Sequence, residues 1–150
     1  MKIKFTATWL PLSPLIMLWT WSKCSHCEFE FSDGMIIVPA MEAGRVIATK
    51  NRKFTWEYEF NLSTEKEQIL REWAEGEIGK PYDYTALAPI NVLIPRSKKQ
   101  WKDDKLWMCS EFCAMGLEKI GIKLFPDNHK KVTPGDLMKK FEKGEHLDTN

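Results

Sequence analysis

Residues 107–121, WMCSEFCAMGLEKIG, contain the clearest helical pattern of the sequence. Apolar or small residues recur there at i, i+3, i+4, i+7, i+8 and i+11, namely at Cys109, Phe112, Cys113, Gly116, Leu117 and Ile120. This spacing places all of them on one side of a helix that runs from Cys109 to Gly121. The pattern therefore predicts a half-buried helix with Cys109 in its first turn.

Upstream of this helix, the sequence has the patterns of β-strands. Alternating positions or short apolar runs predict strands over residues 2–9, 25–31, 35–40, 44–49 and 54–60. Ser32-Asp33-Gly34 predicts a hairpin turn between the second and third strands, because Asp-Gly adopts the backbone conformations of tight turns. Strands that come first and helices that come later are typical of an α+β fold.

Three further helices are predicted from their start signals. Ser13, followed by a proline, begins a short helix. Thr64 and Glu67 have the spacing of a capping box, which predicts a helix that ends at Ile78. Residues 133–136, TPGD, begin the last helix.

The composition is that of one globular domain. The chain has 150 residues, of which 43% are hydrophobic and 29% charged, and its formal net charge is +1. Positive and negative charges are thus almost balanced, and this balance gives no reason to expect a nucleic-acid partner. We expect one domain over residues 1–144, with an irregular loop over residues 80–105 and a flexible tail over residues 145–150.

The apolar run over residues 10–21 is similar to the centre of a signal peptide. Pro11 and Pro14 interrupt it, no A-x-A-like cleavage site follows it, and it is too short to cross a membrane. The four cysteines are better explained as reduced thiols or ligands than as disulfides, because a chain of this size folds without them. These features predict a cytoplasmic protein, for which membrane contact is not expected.

Cys109 is the first candidate for chemistry. Free N–H groups and the dipole at a helix start stabilise an anion, so we expect a lowered pKa for the Cys109 thiol and a nucleophilic thiolate. Of the three histidines, His26 lies in a predicted strand, whereas His129 lies in a lysine-rich loop and His146 in the tail. Glu28, two residues along the same strand face, is the nearest group that could orient the imidazole.

Other interpretations of these residues stay open. Cys109 and Cys113 lie on an apolar helix face and are also typical of small buried core residues. A strand histidine beside two glutamates is also typical of a solvated surface. Cys24, His26 and Cys27, taken with the two helix cysteines, supply the ligand types of a structural zinc site.

Five segments of the sequence together carry a resemblance to a known family. They are SHCEFEFSDG at 25–34, GRV at 44–46, GKPYD at 79–83, WMCSEFC at 107–113 and TPGDL at 133–137. In this order they resemble the motifs of the permuted papain-like amidases, the YiiX-like group that is related to the NlpC-type cell-wall peptidases. The matches extend over most of the chain.

The resemblance implies a permuted papain-like α+β fold, in which an antiparallel sheet packs on the helix that bears the nucleophilic cysteine. It implies that Cys109 is the nucleophile and His26 the base, with no cofactor and no metal. In many relatives a third polar residue lies on the strand after the His hairpin. Residues 36–40, IIVPA, offer no polar side chain there, which favours Glu28 as the third catalytic residue.

The activity implied by the resemblance is that of a thiol hydrolase that cleaves an amide bond in a peptide, an isopeptide or a cell-wall peptide. Tyr82, Asp83, Trp107 and Ser110 are then expected to bind the peptide-like or acyl substrate. Proteins of this pattern are frequent in phages and bacteria, so a phage-encoded chain would act in the host cytoplasm. Two alternatives are a lipid acyltransferase or thioesterase, with the apolar segment 85–94 as its groove, and a catalytically inactive binding module.

Overall fold

The structure, a computed structural model, describes residues 1–7, 17, 22–84, 105–125 and 132–144. Within these ranges the chain forms five strands and three α-helices, which confirms the α+β class. The strands are β1 (Lys2–Thr6), β2 (His26–Glu30), β3 (Ile36–Ala40), β4 (Arg45–Thr49) and β5 (Trp56–Glu59). The helices are α1 (Thr64–Gly76), α2 (Cys109–Lys119) and α3 (Pro134–Glu142).

Several predictions from the sequence lie outside the described residues. They concern the helix at Ser13, the signal-like run up to residue 21, the apolar segment 85–94 and the tail 145–150. The helices that are described include none long and apolar enough to pass through a lipid bilayer.

The five strands form one antiparallel sheet in the order β4-β3-β2-β1-β5. β2 is therefore the central strand, and Cys27 on it pairs with Phe5 while Glu28 pairs with Lys4. Since successive residues of a strand point to opposite faces, the sheet has an apolar face with Phe5 and Cys27 and a polar face with Lys4 and Glu28. Both faces are covered at the centre, because Cys27 and Glu28 are at most 1% exposed.

Helix α2 packs across β2 and β3 on the apolar face, and α1 and α3 pack against α2. The predicted buried face of α2 is confirmed, since all six residues of the periodic pattern are buried.

Gly116 lies where α2 meets both α1 and the sheet. A Cβ atom at this position would come within 2.8 Å of Leu70, 2.9 Å of Trp73 and 3.0 Å of Phe29. The absence of a side chain at Gly116 therefore allows these three elements to meet.

The capping box predicted for α1 is wrong. The N-cap is Ser63, whose hydroxyl accepts a hydrogen bond from the N–H of Lys66, and not Thr64. The Glu67 carboxylate instead accepts hydrogen bonds from the N–H and the hydroxyl of Ser32 in the hairpin turn, at 2.6 and 2.7 Å. A real capping box begins α3, where the side chains of Thr133 and Asp136 bind each other's backbone N–H groups.

Residues 50–55, which we call the crossover segment, connect strands on opposite edges of the sheet. β4 and β5 are separated by four strand spacings of about 4.8 Å each, and the end of β4 and the start of β5 are also offset by the length of β5 along the strands. The straight distance between these two points is therefore roughly 21 Å. The seven steps from Thr49 to Trp56 span at most about 25 Å, so the segment crosses the sheet with little length to spare. It lies on the polar face, where the Thr6 hydroxyl donates to the Lys53 carbonyl and the Lys4 ammonium lies 4.3 Å from the Phe54 ring centroid.

We expect Gly116→Ala to destabilise the fold by about 1–3 kcal/mol, because the added methyl group overpacks the contact between α1, α2 and β2. Gly76→Ala is the matched control: this glycine is also helical, and a Cβ there meets nothing within 4 Å. It should stabilise the protein by up to about 1 kcal/mol. Urea unfolding of both variants measures the two changes, and equal effects would show that the close packing at Gly116 is not a constraint.

Candidate active site

Cys109 and His26 meet where a helix and a strand both begin. Cys109 is the first residue of α2 and His26 the first residue of β2. The pKa of each group depends on the other, so the two side chains are close enough to interact. Cys27 points to the apolar face under α2, so His26 points to the polar face and meets Cys109 at the strand end. The sequence-predicted nucleophile and base are thus neighbours in the structure.

Glu28 is the second group that interacts with the imidazole. Its Oε2 atom is 3.3 Å from Nε2 of His26 and 3.0 Å from Nε of Arg52, and its side chain is only 1% exposed. These are ion-pair distances, although neither contact has the alignment of a hydrogen bond. Arg52 also reaches Glu42, with Nη1 2.8 Å from Oε1. A carboxylate, an imidazole and a thiol therefore follow one another in space.

The protonation state of His26 follows from these neighbours. Burial disfavours the imidazolium, but the adjacent Cys109 and Glu28 outweigh burial and raise the pKa of His26 to about 10. The side chain of His26 is 16% exposed, although its Nε2 atom is buried. At neutral pH His26 is therefore an imidazolium.

The predicted lowering of the Cys109 pKa is wrong. A hydrogen bond with Cys27 and burial raise the pKa of the Cys109 thiol well above its ordinary value, and His26 only partly opposes them. Cys109 is 2% exposed, whereas a solvent-reachable thiolate was expected. The N-cap of α2, Met108, supplies no side-chain capping bond, so the helix start remains available to an anion. Both pKa values are raised, so the form in which both groups carry their protons is favoured, although the charge of Cys109 acts on His26 only when Cys109 is a thiolate.

Cys27 is the functional neighbour that the sequence analysis missed. Its thiol interacts with both Cys109 and Cys113, and all four cysteines are buried and reduced in one core cluster. The alternation of β2 contained the signal, because it places Cys27 on the same face as Phe29. Among the described residues, no group of three or more His, Cys, Asp or Glu side chains is placed to hold a metal.

The four residues predicted to bind substrate all make contacts within the protein, two of them through side-chain hydrogen bonds. Tyr82 and Trp107 form a parallel bridge, and the Asp83 N–H donates to the Trp107 carbonyl at 3.0 Å. The indole N–H of Trp107 donates to Glu77 at 2.6 Å. The buried Ser110 hydroxyl donates to the Val132 carbonyl at 2.5 Å, which ties the start of α2 to the segment before α3.

Tyr82 is the member of this set whose environment includes the thiol. Burial, followed by the nearby Cys109 and Cys27, raises the pKa of the Tyr82 phenol. The phenol therefore stays protonated and can donate a hydrogen bond to an acceptor near the sulfur. The substrate-binding role of Tyr82, Asp83, Trp107 and Ser110 stays a prediction.

Comparisons of this chain with protein-family models, with curated proteins and with solved structures found no match. The function of the site is therefore inferred from the chemistry of Cys109, His26, Glu28 and their neighbours.

We expect the imidazole of His26 to stay protonated at neutral pH and to titrate near pH 10. Replacing its carboxylate partner, in Glu28→Gln, should lower the pKa of His26 because the imidazolium loses the nearby negative charge. NMR titration of the imidazole Cε1–H signals measures both values, and His26→Ala identifies the signal among the three histidines. A wild-type midpoint near the ordinary value of about 6.5 would contradict the ion pair.

The reactivity of Cys109 should depend on its thiol neighbour. Cys27→Ala removes the largest influence that raises the pKa of Cys109, so its alkylation by iodoacetamide should begin at lower pH. His26→Ala should move the profile to higher pH, because the opposing cation is lost. Cys113→Ala is the control, since it removes a buried thiol from the same face of α2. Peptide mass spectrometry follows Cys109, and equal shifts in Cys27→Ala and Cys113→Ala would disprove the specific contact.

Proposed function

We propose that this chain is a thiol hydrolase of the permuted papain-like kind, which cleaves an amide bond of a peptide, an isopeptide or a cell-wall peptide through a thioester on Cys109. The proposal is carried by one observation: His26 interacts both with the Cys109 thiol and with the Glu28 carboxylate, whose Oε2 lies 3.3 Å from Nε2 of the imidazole. A nucleophile, an acid–base group and an orienting group in this spatial order are characteristic of cysteine hydrolases. In the chain His26 precedes Cys109, which is the permuted order.

The reactive form of the site has one proton fewer than the resting form. At rest His26 is an imidazolium and Cys109 a thiol, so the imidazole cannot accept the thiol proton. Loss of one proton to solvent leaves a single proton for the pair, as imidazolium and thiolate or as imidazole and thiol. The amide hydrolysis rate is therefore expected to rise with pH above neutrality.

The thiolate of Cys109 attacks the substrate carbonyl carbon, a C–S bond forms, and the carbonyl oxygen becomes an oxyanion. The imidazolium of His26 donates its proton to the leaving amine as the C–N bond breaks. The neutral imidazole then takes a proton from water, and the resulting hydroxide attacks the thioester. Release of the acid restores the thiol and the imidazole, and the net reaction is amide plus water to acid plus amine.

The start of α2 supplies donors for the oxyanion. The first N–H groups of a helix have no partner within the helix, and no side chain caps them at Met108. The hydroxyl of Ser110 is directed to Val132 and does not compete for these N–H groups. The N–H of Cys109 is thus the natural oxyanion donor, as in other acyl-transfer sites.

One observation favours a second candidate function, a catalytically inactive binding module. Cys109 is only 2% exposed, and a sulfur that no substrate reaches cannot form a thioester. The interaction of His26 with Cys109 favours the hydrolase over this alternative. The lipid acyltransferase alternative depends on the segment 85–94, which lies outside the described residues.

Incubation with p-nitrophenyl acetate tests the hydrolase with a small acyl donor. We expect a burst of nitrophenolate and one acetyl group on Cys109, detected by mass spectrometry of the intact protein and of its peptides. The burst should be absent in Cys109→Ala, slowed at least about tenfold in His26→Gln, and unchanged in Cys113→Ala. Labelling of Cys109 only after denaturation in urea would refute the hydrolase and support the binding module.

A further inference from the structure

The carboxylate of Glu28 is buried more deeply than any other acidic side chain among the described residues. An ionised carboxylate in such a place is stable only beside cations or hydrogen-bond donors. Within the described chain, two cationic groups reach its Oε2 atom: the imidazole of His26 and the guanidinium of Arg52. His26 is the group that Glu28 would orient, so Arg52 is the group that holds Glu28.

The crossover segment fixes the position of Arg52 over the centre of the sheet. On its far side, the Thr55 N–H donates to the Phe5 carbonyl at 2.9 Å, and the Thr55 hydroxyl accepts from the Ala7 N–H at 3.1 Å. On its near side, Asn51 has a φ of 59°, the left-handed conformation that asparagine tolerates, which turns the chain out of β4. A short segment that is held at both ends leaves little freedom to the backbone of Arg52.

The guanidinium of Arg52 joins two carboxylates. Its Nε lies 3.0 Å from Oε2 of Glu28 and its Nη1 lies 2.8 Å from Oε1 of Glu42, in the 3₁₀ turn Met41–Ala43, and both are ion-pair distances. The side chain of Arg52 is 24% exposed, so solvent only partly screens these contacts. A guanidinium has a planar arrangement of donors that suits two carboxylates at once, and a lysine ammonium lacks it.

We propose that Arg52 is a positioning residue of this site: it holds the Glu28 carboxylate towards His26 and thereby fixes the imidazole against Cys109. The consequence for catalysis depends on the proposed hydrolase function, whereas the orientation of Glu28 does not. The charged or titratable groups around His26 are Glu28 on its own strand, Cys109 at the start of α2, Arg52 on the crossover segment and Glu42 in the turn.

The pH midpoint of the His26 titration distinguishes positioning by Arg52 from a direct effect of its charge, because the two roles predict shifts of this midpoint in opposite directions when Arg52 is replaced. If Arg52 acted only through its own charge, Arg52→Gln would raise the midpoint, since a cation near the imidazolium is lost. If Arg52 holds Glu28, the released carboxylate turns towards water, and the midpoint falls towards that of Glu28→Gln. We expect a fall of about one pH unit.

NMR titration of His26 in four proteins tests the proposal: wild type, Arg52→Gln, Glu28→Gln and the double variant. In the Glu28→Gln background, Arg52→Gln should no longer lower the midpoint, because no carboxylate is left to hold. Lys53→Gln is the matched control, since it removes an exposed positive charge from the same segment without touching Glu28. It should leave the midpoint unchanged.

Arg52→Lys keeps the proposal testable if Arg52→Gln does not fold. It preserves the charge but cannot bind both carboxylates with one planar group, so positioning predicts a lower His26 midpoint and a direct charge effect predicts no change. A raised midpoint in Arg52→Gln, or no change in Arg52→Lys, would overturn the proposal.

In the acetylation assay, positioning predicts a burst about tenfold slower in Arg52→Gln and partial recovery in Arg52→Lys. A wild-type protein without a burst would refute the hydrolase and leave the NMR result to decide the role of Arg52.

Discussion

The buried negative charge of Glu28, on the central strand of the sheet, determines the electrostatics of the whole site. Leaving such a charge unpaired costs several kcal/mol, so the surrounding chain must supply positive charge. Among the described residues around it, Glu28 and Glu42 carry two negative charges, and Arg52 carries one positive charge. The group becomes neutral when His26 is protonated, and the charge of Glu28 contributes, after that of Cys109, to the raised pKa of His26.

The protonation state of the Cys109 thiol is decided by the relative size of opposing effects. A helix start stabilises an anion by about 0.3–1 kcal/mol, which lowers a pKa by less than one because one pKa unit corresponds to about 1.4 kcal/mol. Full burial raises the pKa of a thiol by up to about 3–5. The contact with Cys27 acts in the same direction as burial, and the imidazolium of His26 opposes both. The position of Cys109 in α2 is therefore too weak an influence to produce a thiolate at rest.

Alternation and short apolar runs predicted the five described strands, and helical periodicity predicted α2, whereas α1 and α3 were predicted from their start signals. The Cys109–His26 pair was also predicted, since one residue begins the clearest helix and the other lies in a predicted strand. Arg52 was not, because its role depends on the sheet order: only when β4 and β5 lie on opposite edges do residues 50–55 pass over Glu28. Likewise, Ser63 and Thr64 both suit an N-cap, and only the contact of Glu67 with Ser32 in the folded chain distinguishes them.

A raised pKa for the Cys109 thiol is compatible with catalysis in the proposed hydrolase, because rate depends on the difference between the ground state and the transition state. A thiolate at rest would add a negative charge to Glu28, Glu42, Arg52 and protonated His26, whose charges already sum to zero. Cys27 would offer this thiolate only a weak thiol donor. When the sulfur attacks a carbonyl, that charge moves to the oxygen at the start of α2, where uncapped N–H groups are available. The negative charge is thus poorly compensated on the sulfur of the thiolate and well compensated on the oxyanion. This difference lowers the barrier for attack by the thiolate, although it also keeps the thiolate form scarce at neutral pH.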